Sequence, residues 1–258
     1  MGAILKTGQR APAPIRFEGG SKMDYNYNNY DRDYAYADSA LQPNEYMART
    51  YRWMASGLIV TFAMAIITAA TPLLYVVDSL YLVLTIAELA LVFALSARVQ
   101  TMSVGGARAA FFGYALLNGM VMSYYFVLFD LGTLVVAFLS AAVYFGLMAV
   151  YGHSTERDLS AWGPRLMMAL VALIVSSLVS MLFGGSFVGS VLYCGIGLVV
   201  FMLLTAYDSQ KLQQLYSYYA FDREMAEKAS IYGALTLYLD FINIFLYVVR
   251  LMGNRRRN

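Results

Sequence analysis

The sequence predicts an all-α membrane protein, a seven-helix transmembrane bundle. Three observations carry that expectation. Hydrophobic residues make up 60% of the 258 and charged residues 13%, whereas a soluble domain carries about 25% charge; the mean hydropathy is +0.58. The apolar residues gather in seven blocks, most of them near the ~20 residues that a helix needs to cross a bilayer core of about 30 Å. Lysine and arginine occupy alternate connections between those blocks, as the positive-inside rule requires.

The first 48 residues differ from the rest. "YNYNNYDRDYAYADS" is rich in Tyr, Asn and Asp and almost free of aliphatic side chains. Such a stretch buries too little apolar surface to offset its ordering entropy, so 1–48 reads as a disordered tail and 49–258 as the transmembrane domain. The tail lacks the apolar run after a basic start that marks a signal peptide. The net charge of +2 gives no electrostatic basis for nucleic-acid binding. A single cysteine, Cys194, excludes an intramolecular disulfide, and with a single histidine no zinc cluster is available.

The blocks fall at about 53–77, 79–97, 109–129, 131–151, 165–184, 187–207 and 231–249. Short polar breaks, "VVDSL", "FDLGT" and "FGGSF", join antiparallel neighbours. Gly113, Gly119, Gly146, Gly195 and Gly197 suit close helix contact in lipid. Pro72 near the end of the first span and Pro164 at the start of the fifth stand where a missing N–H costs little. Arg49, Arg52, Arg98, Arg108, Arg157, Arg165, Lys211, Arg223 and Lys228 all fall on one side, while Asp78 and Asp130 mark the other. The basic side reads as cytoplasmic. The last span conflicts with this: if it crosses fully, Arg250 and the terminal "RRR" lie outside. Trp53 and Tyr51 sit where an interfacial aromatic belt is expected. His153 reads as a surface or interfacial histidine, and the methionines as packing filler.

Among the acids, Glu88, Asp208 and Asp240 alone lie within or at the margin of a span. An ionisable group at such a depth faces protein or water and marks a candidate site. Around Asp240, helical spacing aligns Gly233, Thr236, Asn243 and Tyr247 on one stripe among Leu, Ile, Phe and Val. The last helix therefore reads as central, with a polar seam. Asp208 has Thr205 a turn before it and Lys211 a turn after. Arg98, at the end of the second span, is the nearest countercharge by depth. Two carboxylates brought together in a low dielectric do not both ionise cheaply, so a meeting of Asp208 and Asp240 makes a proton-sharing switch. With Asn243, Thr205 and water, the pair suits a weak, transient calcium site, since Ca²⁺ takes about 6–8 oxygens. The bland alternative is a buried carboxylate that only ties helices together.

"LTAYDSQKLQ" (204–213) and "GALTLYLDFINIFLYVVRLMGNRR" (233–256) resemble the signature blocks of the Bax inhibitor-1 (transmembrane BAX inhibitor motif) family. "ELALVFALSARVQTMS" and "YGHSTERDLSAWG" are similar to its bacterial branch. The resemblance spans about 41–256. It implies two three-helix layers around a central C-terminal helix, and a pH-sensing pair at Asp208 and Asp240. It also implies a latch at Arg98 and a pH-tuned calcium leak that needs no tightly bound cofactor. Glu88, Asn243, Thr236 and Thr205 are the pore-lining candidates. The bacterial cytoplasmic membrane is the expected location, with the endoplasmic reticulum as the alternative.

Two rival functions stay open. An intramembrane aspartyl protease would use the two aspartates as acid and base, but its second motif needs G-x-G-D where this chain reads "LYLD". A regulatory membrane protein without transport activity would use the tail as a grip, for instance on a membrane-bound AAA protease.

Overall fold

The computed structural model describes residues 42–99, 101–183, 189–219 and 222–255. The chain divides after Asp38, and the tail expected to be disordered lies, up to residue 41, outside the described residues. The membrane unit carries seven long helices among the described residues: α1 Pro43–Ala70, α2 Leu73–Arg98, α3 Val104–Leu128, α4 Leu131–Ser154, α5 Gly163–Phe183, α6 Val191–Tyr219 and α7 Arg223–Arg255. Each is long and apolar enough to cross a membrane.

Local chemistry sets the ends. Ser103 caps α3 by accepting the Gly106 N–H at 3.1 Å. Asp130 caps α4, accepting the Thr133 N–H at 2.9 Å and its hydroxyl at 2.7 Å. Three expected boundaries move. The first break falls at Thr71 and Pro72, not at "VVDSL". Pro72 has no N–H to donate and pushes Thr71 into an extended backbone, φ −128° and ψ 164°. Asp78 consequently lies inside α2, accepting from the Tyr124 hydroxyl. At the other end, α1 starts at Pro43, inside the expected tail, because proline is pre-organised for the first helical turn. The stretch between the expected sixth and seventh blocks, 208–230, is largely helix: α6 runs on to Tyr219 and α7 starts at Arg223.

α1 packs closely on α3, with α2 against α3; α4 packs on α6, with α5 against α6. These two groups of three flank α7, which packs on α6, α1, α4 and, less extensively, α3. Within its spanning window α7 is 61% buried inside the protein, against 6% for α2, so α7 is central and α2 peripheral. An aromatic cluster ties the groups together: Phe62 of α1 meets Phe138 of α4 at 5.1 Å and Phe245 of α7 at 5.3 Å between ring centres. Small residues set the closest approaches. Gly119 of α3 lies on the backbone of Thr61, and Gly152 of α4 lies on the Ala206 carbonyl of α6.

α7 is continuous for 33 residues, roughly 50 Å at 1.5 Å per residue, and so is long enough to cross fully. Gly253 reaches Phe129, beyond the end of α3. Arg250 donates to the Tyr125 hydroxyl at 2.6 and 3.0 Å and lies over the rings of Tyr125 and Tyr247. Arg250 thus sits at the end of the bundle that carries Asp130, opposite most of the basic residues. The terminal "RRR" lies outside the described residues except for the backbone of Arg255.

Candidate functional site: the aspartate seam between α6 and α7

The two aspartates stand on neighbouring antiparallel helices. Leu212 of α6 covers Gly233 of α7, and the ring of Tyr247 covers Gly197. That register sets Thr205 opposite Asp240 and Asp208 opposite Thr236, so the carboxylates differ in depth by about one helical turn, roughly 5 Å. Asp208 and Thr205 are thus the polar side chains of α6 that stand beside Asp240. Thr205 also donates to the Phe201 carbonyl at 2.8 Å. Asp240 is 3% exposed, and its Oδ2 is buried with no hydrogen-bond partner among the described residues. Asp208 is partly accessible, with Lys211 one turn further along α6. Lys211 forms no ion pair among the described residues and lies instead over the Tyr207 ring at 5.7 Å.

The partly accessible residues of α7 between 232 and 250 recur at Tyr232, Thr236, Leu239, Asn243, Leu246 and Arg250. That is one lane along an otherwise buried helix. Thr236 and Asn243 lie in it, and Asp240 stands at its edge. Thr236 donates to the Tyr232 carbonyl at 3.1 Å and Asn243 to the Leu239 carbonyl at 2.8 Å. Among the described residues the Asn243 side-chain oxygen accepts no hydrogen bond. Among the described residues no three His, Cys, Asp or Glu side chains converge as a metal cage. The oxygens present are few, which suits transit of a cation better than its storage.

Two expected members stand apart. Arg98 is exposed and forms no ion pair among the described residues, so it does not latch the aspartates in this conformation. The reason is its helix: α2 packs on α3 at the periphery, not on the α6–α7 seam. Glu88 accepts from the Tyr114 hydroxyl at 3.3 Å and from the Asn118 amide, both on α3. Tyr114 in turn packs on Tyr238 of α7, rings 5.9 Å apart, and the Tyr238 hydroxyl meets Thr61 at 2.6 Å. Glu88 therefore belongs to a separate polar cluster joining α1, α2, α3 and α7, and does not line the aspartate seam. Sequence reading missed Tyr114, Asn118, Tyr238 and Thr61. An asparagine in the apolar block 109–129 was the available signal.

The family model described as "Inhibitor of apoptosis-promoting Bax1" matches residues 43–257. Escherichia coli K12 inner membrane protein YbhL is 41% identical over 230 residues, 85% of this chain and 97% of that protein. An uncharacterized protein of Deinococcus radiodurans is 45% identical over 216 residues, covering 83% and 92% of the two chains. Another of Borreliella burgdorferi is 32% identical over 223 residues, covering 83% and 94%. The matched region contains every helix and both aspartates, and the chain belongs to the Bax inhibitor-1 family, as a multi-pass protein of the bacterial inner membrane.

Proposed function

We propose that the protein is a pH-sensitive, calcium-permeable leak of its membrane, with Asp208 and Asp240 as the proton-sharing gate. The observation that carries this reading is the Asp240 carboxyl: central, enclosed, near Asp208 and short of one hydrogen-bond partner. A buried carboxyl so placed is poorly satisfied as structural glue. With one shared proton, the pair holds α6 and α7 together. Without it, two negative charges repel across the seam and attract a cation. The lane through Thr236 and Asn243 lends support, because it offers polar atoms on both sides of Asp240 along the helix. Calcium is cargo in this scheme, handed between carboxylate and amide oxygens.

The test is calcium flux from protein-loaded liposomes across pH 6 to 8, for the wild type and for Asp208→Asn and Asp240→Asn. The expected result is a pH-dependent flux that both variants flatten. Equal pH profiles in all three proteins would remove the gate assignment.

A further inference from the structure

At the basic end of the bundle, α1, α3 and α7 enclose a cleft of about 390 Å³ that opens to the surface. Arg49, Arg52, Trp53, Ser56, Arg108 and Glu227 line it. Three guanidinium groups face one carboxylate there, so the lining carries an excess of positive charge. Glu45 reaches Arg49 at 3.0 Å from an exposed position on the same helix, a contact that solvent screens heavily. Arg108 is engaged twice: Glu227 of α7 pairs with it, and its guanidinium lies 5.2 Å from the centre of the Trp53 ring. Even so, the Arg108 Nε is buried without a hydrogen-bond partner among the described residues. Arg52 is exposed and has no ion pair among those residues. The site therefore holds uncompensated positive charge and a guanidinium fixed in place within one concavity.

Its level along α1 identifies the surroundings. Arg49 and Arg52 are the last basic residues before the apolar run that begins at Gly57, and Trp53 stands between them and that run. Tryptophan at such a junction sits at the headgroup level of a bilayer. Arginine forks match phosphate oxygens in pairs, which makes clustered guanidinium groups a phosphate receptor.

We propose that this cleft binds a phosphate group, presented by the headgroup of an anionic phospholipid at the basic face of the membrane. Arg52 supplies the free charge, Arg49 a second guanidinium whose Glu45 partner is exposed, Arg108 a guanidinium fixed by Glu227, and Trp53 the apolar wall beside the glycerol. The site is separate from the aspartate seam and does not depend on the leak reading.

The experiment uses the full chain purified in an uncharged detergent. Thermal unfolding is followed on titration with short-chain phosphatidylglycerol, short-chain phosphatidylcholine, or inorganic phosphate, for the wild type, Arg52→Gln and Arg49→Gln/Arg52→Gln. Neither variant alters Arg108 or Glu227, so the tie between them is kept. Phosphatidylglycerol is expected to raise the unfolding midpoint of the wild type at concentrations where phosphatidylcholine does not. The double variant should need ~10-fold more of it, in line with the loss of charge-assisted bonds. Inorganic phosphate that competes with the lipid supports the shared phosphate chemistry; phosphate that fails to compete assigns the site to the intact headgroup. Equal responses to the two lipids, or equal titrations in wild type and double variant, would overturn the proposal.

Discussion

Tyr238 and Asp240 are two residues apart on α7 and face opposite sides of it. The Tyr238 hydroxyl meets Thr61 of α1, and its ring packs on Tyr114, the partner of Glu88. Asp240 looks toward Thr205 and Asp208 of α6. A helix turns about 100° per residue, so one central helix presents two polar clusters to two different sets of neighbours. Glu88→Gln is therefore expected to leave the pH profile of calcium flux intact, while Asp240→Asn flattens it. Flux assays of the two variants in parallel check this.

The Tyr238–Thr61 contact should be worth a modest amount. Thr61 also donates to the Ala115 carbonyl at 2.9 Å, so Tyr238→Phe leaves the threonine satisfied. The expected cost is about 1 kcal/mol, the net value of a typical internal hydrogen bond. Thermal unfolding in detergent measures it, with pH-dependent flux preserved.

Gly152 leaves no room for a methyl group, because a Cβ there would meet the Ala206 carbonyl, a backbone atom that cannot turn aside. Gly152→Ala should force α4 and α6 apart close to Asp208 and cost roughly 1–3 kcal/mol. The unfolding midpoint should fall accordingly. Gly146→Ala, on the same helix with open space around its Cα, should leave it nearly unchanged.

Asp158 provides a control for pH. It lies between α4 and α5, where the Ser160 hydroxyl and N–H, the latter at 2.8 Å, hold its carboxyl below the usual range. A lowered value in the folded state means that its contribution is complete above the ordinary carboxylate value of about 3.9 and fades only as pH falls below it. Nothing in that balance changes between pH 6 and 8. Asp158→Asn should therefore leave the shape of the flux profile unaltered over that interval.

Among the described residues, the buried side chains of α1 begin at Tyr46, which packs on Tyr216 of α6. Removing residues 1–41 should accordingly preserve both the unfolding midpoint and calcium flux. If the tail serves as a grip for a membrane protease, the same truncation should abolish co-purification with that protease.

Seven helices, their order and the central place of α7 were legible because the bilayer imposes a strong filter. A span needs length and apolarity, and a polar stripe on one such span, here Thr236, Asp240 and Asn243, can only point inward. Asp208 and Asp240 stood out for the same reason: carboxylates are rare where desolvation is costly. Ends were less legible. The break at Pro72 was masked by the aliphatic residues that continue across it into α2. The helix after Lys211 was masked by its mixed polar and aromatic run, "LQQLYSYY", since helices beyond the bilayer no longer need a continuous apolar block.

Depth along one helix follows from counting residues, and the sequence alone established which groups lie deep in the membrane. Which of those groups face one another depends on helix rotation and on neighbours distant in the chain. Counting could therefore bring Arg98 level with Asp208, but only packing decides that α2 sits outside the seam. Packing likewise sends Glu88 to Tyr114 and Asn118, and sets Thr205 against Asp240. Those choices come from close fits such as Gly152 on Ala206 and Gly197 under Tyr247, whose shape complementarity no single helix carries by itself.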